Sequence, residues 1–261
     1  MNILDVIIKQ KRTEVEEKRK LIPLDELKQS EFFKRDVLSM KASILDPSTT
    51  GIIAEFKRKS PSKGDINKHA DVVEVTGAYT KHGASALSVL TDTQFFGGSA
   101  NDLVAARVNQ IPIIRKDFIV DEYQIVEARA MGADAILLIA ACLSPLEVKQ
   151  LAEFASLLGL EVLLELHGEE ELEHICDKIE LVGINNRNLK TFEVDIARSL
   201  AMAAKIPDSK VKIAESGISN VENIKLFKDH GFSGFLIGEN FMKQENPGEA
   251  FEQFVKLLRH N

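Results

Sequence analysis

Ile-Ala-Glu-Phe-Lys-Arg-Lys-Ser-Pro-Ser, residues 53–62, begins as a buried strand would and ends in a cluster of charge. A strand packed on both faces has no use for Glu and Lys at its end, so the change marks where the chain leaves the core. Three further stretches repeat the pattern: Ile-Arg-Lys-Asp-Phe (114–118), Leu-Leu-Glu-Leu (163–166) and Gly-Ile-Asn-Asn-Arg-Asn (183–188). In a (β/α)8 barrel the carboxyl ends of the strands carry the active site. Four strands ending in polar and charged side chains therefore point to such a barrel and to an enzyme.

Working outward, apolar β-branched runs recur near 51–57, 86–92, 111–118, 135–142, 161–166, 181–186, 211–216 and 234–238. Helical periodicity fills the intervals, as in Asp121–Met131, Pro145–Leu158 and Val221–His230, each closed by a glycine suited to a helix C-terminus. Eight strand–helix units favour a closed α/β barrel over residues 51–261, and no Gly-x-Gly-x-x-Gly follows the first strand to suggest a dinucleotide fold. Residues 1–50 predict two or three extra helices across a barrel end. Ile3, Ile7 and Ile8 give them an apolar stripe, read either as a passive solvated cap or as a lid over the substrate.

The length of 261 residues, 44% of them hydrophobic, suits one such domain. A net charge of −7 excludes the basic field that nucleic acid or an anionic membrane would require. No apolar stretch is long enough for a signal peptide core or a membrane span, so a cytoplasmic location is expected, and separately a monomer. Cys142 and Cys176 lack metal-like spacing, and the six histidines form no paired ligand motif, so no metal is expected. Cys142 is read as a small core residue at a strand end.

Side chains alternate along a strand, which places Glu55 and Lys57 on one face, and Asn185 and Arg187 likewise if their strand stays extended. A buried structural ion pair is the plain reading of Glu55 and Lys57. Lys116 and Glu165, closing two other strands, turn the coincidence into a mixed acid–base cluster. Residues 58–64 form a basic loop, read as solvated surface or as a clamp for an anion. Ala214-Glu-Ser-Gly-Ile218 and Leu236-Ile-Gly-Glu-Asn240 end the seventh and eighth strands with small residues that let backbone N–H groups approach a phosphate.

Taken together, these residues resemble the indole-3-glycerol phosphate synthase family. Glu-Phe-Lys-Arg-Lys-Ser-Pro-Ser at 55–62 is the most specific signal, supported by Leu90-Thr-Asp92, Phe95-Phe-Gly-Gly-Ser99, Arg115-Lys-Asp-Phe-Ile119, Leu164-Glu-Leu166, Asn185-Asn-Arg-Asn188, Glu215-Ser-Gly-Ile218 and Gly238-Glu239. The likeness spans the chain, including the N-terminal extension; Phe56 stands where Tyr is also frequent. It implies cofactor-free closure of 1-(2-carboxyphenylamino)-1-deoxyribulose 5-phosphate, a phosphorylated small molecule, to indole-3-glycerol phosphate. It implies Lys116 as general acid, with a pKa lowered among neighbouring cations, and Glu55, Lys57 and Glu165 as the acid–base set for dehydration. Asn185 would bind the ribulose hydroxyl, and Arg187 and Lys57 would meet substrate carboxylate. Glu215 joins the substrate-binding residues, while Ser60, Ser216, Gly217, Gly238 and the backbone N–H of Glu239 would hold phosphate. Phe56, Phe95 and Phe118 either line the aromatic pocket or serve as ordinary core aromatics. Rival readings are a related sugar-phosphate isomerase, a Schiff-base aldolase using Lys57 or Lys116, and an inactive phosphate-binding regulator.

Overall fold

A computed structural model describes residues 3–61, 63–187 and 193–260. Eight parallel strands pair in chain order: β1 (Ile52–Phe56), β2 (Ala86–Leu90), β3 (Ile113–Lys116), β4 (Ala135–Ile139), β5 (Glu161–Leu166), β6 (Leu181–Asn185), β7 (Val211–Glu215) and β8 (Phe232–Ile237). The barrel closes where β8 meets β1, with Ile53 opposite Leu236. Around it lie helices α4 (Val72–Lys81), α5 (Ala100–Ala106), α6 (Glu122–Met131), α7 (Pro145–Leu157), α8 (Ile196–Ala203), α9 (Val221–Asp229), α10 (Glu239–Met242) and α11 (Pro247–His260), preceded by α1 (Ile3–Leu21), α2 (Leu24–Leu27) and α3 (Met40–Leu45). Among the described residues no helix is long and apolar enough to cross a membrane.

Local chemistry sets the helix ends. Ser144 and Glu147 form a reciprocal capping box that opens α7, where Pro145 fills the first turn without wasting an N–H. Asp121 and Asn220 cap α6 and α9 in the same way, each accepting an N–H from the first turn. One expected span shortens at its end. β4 ends at Ile139, and Ala140–Cys142 turn as a 3-10 helix, so Cys142 lies just past the strand. Between β5 and β6 the acidic run forms a 3-10 turn, Glu169–His174, whose Glu171 carboxylate accepts the N–H groups of His167 and Gly168.

Two apolar layers result from strand alternation. Residues such as Ile52, Ala54 and Phe56 face the helices, whereas Ile53, Ile114, Leu163 and Ile213 pack together inside the barrel, all fully buried. Those four come from the odd-numbered strands. Two residues further along, the same strands bring Glu55, Lys116, Glu165 and Glu215 to the interior, one layer nearer the barrel mouth.

The N-terminal segment departs from expectation by serving both ends of the barrel. At the mouth, Lys11 of α1 is buried against Asp92 (2.8 Å) and Asp117 (3.1 Å), which follow β2 and β3. At the opposite end, Met40 and Ile44 of α3 join the interior cluster. There Ser43 Oγ donates to the Ser85 carbonyl, and Glu161, which opens β5, accepts from Ser39 Oγ and the Lys41 N–H. Charged residues flanking each end of the strands thus find partners on one continuous segment.

Candidate active site

A cavity of about 260 Å³ opens at the carboxyl ends of the strands. Its floor is the charged odd-strand layer. Glu55 lies 2.5 Å from Lys57 Nζ, Lys116 Nζ lies 3.3 Å from Glu165, and the other Glu165 oxygen accepts from Asn185 Nδ2 at 3.0 Å. His167 brings Nε2 to 3.0 Å from that same oxygen. Glycine makes room for two of these carboxylates. A Cβ at Gly183 would fall 2.0 Å from Glu215 Oε1, and one at Gly238 would fall 2.4 Å from Glu55 Oε2.

The layer separates its protonation states. Burial disfavours the charge on Lys116, but Glu165, Glu215 and Glu55 outweigh burial and raise its pKa above the ordinary value. This reverses the expectation of a pKa lowered by surrounding cations: the groups that reach Lys116 are carboxylates, and Lys57 is taken up by Glu55. At Lys116 that direction also argues against the neutral amine a Schiff-base aldolase would need there. Burial opposes ionisation of Glu165 too, yet Lys116, His167 and Asn185 hold it well below the usual carboxylate range. Glu215 goes the other way. Burial first, then repulsion from Glu165, pushes it well above that range, and its buried Oε1 has no hydrogen-bond partner. Groups whose proton affinities are pushed in opposite directions thus share one layer, an arrangement able to give and take protons in successive steps.

The cavity walls use the remaining strand ends. Arg187 stands beyond β6, bridged to Val194, with its N–H on Asn185 Oδ1 and its guanidinium 3.2 Å from Glu239. Beyond β7, Ser216 (φ 66°) and Gly217 (φ 72°) turn through the left-handed region. Ser216 is the one non-glycine residue with positive φ among those described, a conformation costing about 1 kcal/mol for an L side chain. Ser60 lies in a short hairpin, Lys59–Ser60 against Gly64–Asp65, whose Arg58 pairs with Asp102 at 2.7 Å rather than facing the cavity. Ser62 of this loop and Asn188 of the sixth-strand motif lie outside the described residues.

Glu55, Lys57, Ser60, Lys116, Phe118, Glu165, Asn185, Arg187, Glu215, Ser216, Gly217, Gly238 and Glu239 all line this one cavity. Two candidates do not. Phe56 is buried between the barrel and the helices, with the Arg58 guanidinium 4.7 Å over its ring; the alternation that brings Glu55 and Lys57 inward turns Phe56 outward. Phe95 gives way to Phe96, which lines the cavity and tilts against Phe118 at 6.0 Å. Both phenylalanines sit on a turn whose N–H groups are held by Asp92, and nothing in the local sequence distinguishes the inward ring. Of the N-terminal stripe read as cap or lid, Ile3 and Ile7 line the cavity and Ile8 does not; sequence reasoning missed Leu4, which joins them, and His167, which alternation counted on from Glu165 would have placed inside.

A left-handed turn beside a buried layer of acids and bases, at the carboxyl ends of eight parallel strands, defines a (β/α)8-barrel enzyme. Solved structures share this fold at low identity. The chain resembles thiamine phosphate pyrophosphorylase from Pyrococcus furiosus (TM-score 0.57, 16% identity, covering 80% of this chain and 95% of that one) and a mutant tryptophan synthase alpha-subunit from the same organism (TM-score 0.60, 16% identity, 82% and 99%). The family profile described as indole-3-glycerol phosphate synthase matches residues 4–254. Relatives bearing that name are 49% identical in Bacteroides thetaiotaomicron (99% of both chains) and 42% identical in Polaromonas sp. (98% of this chain, 99% of that one). A third, from Chromobacterium violaceum, is 50% identical over 77% of each chain. The chain belongs to the indole-3-glycerol phosphate synthase family.

Proposed function

We propose that the charged odd-strand layer closes 1-(2-carboxyphenylamino)-1-deoxyribulose 5-phosphate to indole-3-glycerol phosphate, releasing carbon dioxide and water. Family membership supplies the reaction, and the grouping of Lys116, Glu165, Glu55 and Lys57 in one cavity is the observation that carries the assignment of roles. In ring closure the carboxyl-bearing aromatic carbon attacks the ketone carbon, and the oxygen that gains charge takes a proton from Lys116. The raised pKa keeps Lys116 protonated in the resting site.

Carbon dioxide then departs, and its bonding pair restores the aromatic ring. Dehydration needs a base for the remaining ring proton and a donor for the departing hydroxyl. The ionised state of Glu165 supports it as base, with Lys57 as donor and Glu55 as the partner that orients it. Asn185 holds Glu165 and meets the ribulose hydroxyl. Arg187 exchanges Glu239 for the substrate carboxylate, Phe96 and Phe118 flank the aryl ring, and phosphate rests on Ser60, Ser216, Gly217, Gly238 and the Glu239 N–H. The enzyme acts in the cytoplasm, a reading supported by the free cysteines.

Turnover is directly visible. The chain contains no Trp, so indole fluorescence growing from the anilino substrate at micromolar enzyme reports product alone. Absence of that signal, with substrate recovered intact, would sink the assignment.

A further inference from the structure

Ser216 holds a conformation its side chain disfavours. What reaches it is Asn186. This residue is fully buried and does not line the cavity, so it touches no substrate. Its N–H donates to the Glu215 carbonyl at 2.8 Å, extending the β6–β7 ladder one step past the paired residues Asn185 and Glu215. Its Nδ2 donates to the Ser216 carbonyl at 2.7 Å. One residue therefore holds two successive carbonyls, its backbone securing the last strand residue and its side chain the first residue of the turn. The Asn186 carbonyl in turn accepts the Asp195 N–H at 2.9 Å, which anchors the segment carrying Val194. Val194 packs so closely on Gly217 that a Cβ there would lie 2.5 Å from it.

We propose that Asn186 is a positioning residue that locks the Ser216–Gly217 turn in its left-handed form and so aims the backbone N–H groups of that turn at the substrate phosphate. The proposal rests on the reading of this turn as the phosphate site. Without the Nδ2 donor, Ser216 relaxes toward negative φ, which L residues prefer, and its N–H and that of Gly217 swing off the anion. The acid–base layer stays in place because the Asn186 N–H still completes the ladder at Glu215.

Asn186→Asp tests this, since it keeps the side-chain shape and the backbone bond but removes the donor and sets an oxygen against the Ser216 carbonyl. KM for the anilino substrate and Ki for inorganic phosphate, measured as a competitive inhibitor, should both rise about tenfold or more, the loss expected of one buried hydrogen bond and the repulsion that replaces it. The kcat and its pH profile should stay near wild type. A Ser216→Gly background supplies the second arm, because glycine takes positive φ about as readily as negative. Asn186→Asp should there raise KM and Ki less than about threefold relative to Ser216→Gly alone, reflecting the same preference.

Unchanged phosphate affinity in Asn186→Asp, a fall in kcat with KM constant, or an equal penalty in the glycine background would each overturn the proposal alone. Failure of phosphate to compete in the wild type would overturn the phosphate reading of the turn, and the proposal with it.

Discussion

Two layers of the barrel interior lie one pleat apart on the same four strands. Ile53, Ile114, Leu163 and Ile213 make the lower one; Glu55, Lys116, Glu165 and Glu215 make the upper. The lower layer gains by excluding water from shape-matched apolar surface. The upper layer places three carboxyls and one ammonium at comparable depth, where isolated charges are costly, and settles them by pairing Lys116 with Glu165 while burial raises the pKa of Glu215. The same backbone geometry thus serves stability in one layer and proton chemistry in the next. The division of labour is a step of two residues.

Lys116→Met should break this comparison most severely. It strips the upper layer of its one ammonium from an odd strand and leaves Glu165 buried without its cation. Turnover should fall by on the order of ten-thousand-fold while a phosphate-bearing analogue still binds. Wild-type-like kcat would exclude Lys116 as the essential acid.

Glu165→Gln preserves shape but cannot exchange a proton, and should cost on the order of a hundred- to ten-thousand-fold in kcat. If Glu165 serves dehydration, a single turnover should release carbon dioxide in a burst while indole absorbance lags. Simultaneous appearance of both at the wild-type rate would remove it from the mechanism.

In the lower layer, Leu163→Ala should cost about 2–5 kcal/mol of stability by leaving a cavity, with kcat per folded molecule reduced far less than in the upper-layer variants. Denaturant unfolding and active-site titration separate the two quantities. A kcat loss matching that of Glu165→Gln would mean the layers are not functionally distinct.

The smallest effect concerns pH. Glu215 has a folded pKa raised above its ordinary value of 4.5, so its contribution to stability is complete below that value and is lost as pH rises through the raised one. Glu215→Gln should flatten the decline of Tm over that window. An unchanged Tm–pH slope would show that Glu215 does not hold its proton in the folded protein.

Much of this site was legible because strand alternation is a local rule. It groups Glu55 with Lys57, adds His167 to Glu165, and, followed strictly, turns Phe56 away. The turn after β2 obeys no such period, so choosing Phe96 over Phe95 required the Asp92 carboxylate that shapes it and the Phe118 ring that receives it. Helical periodicity marked the N-terminal segment as amphipathic. It could not tell that α1 goes to the mouth and α3 to the far end, since that depends on partners such as Asp92 and Glu161, far along the chain.

The sequence by itself determined that eight strands alternate with helices, that several of them end in acids, bases and amides, and that small residues follow the last two. Those are statements about neighbours along the chain, governed by periods of two and 3.6 residues. Only the tertiary structure decided the charge each group carries. The pKa of Lys116 is raised by the carboxylates around it, Glu165 first, and that of Glu215 is raised by burial and by Glu165. The energy of a charge depends on distance through space and on the water removed around it, and barrel closure sets both at once.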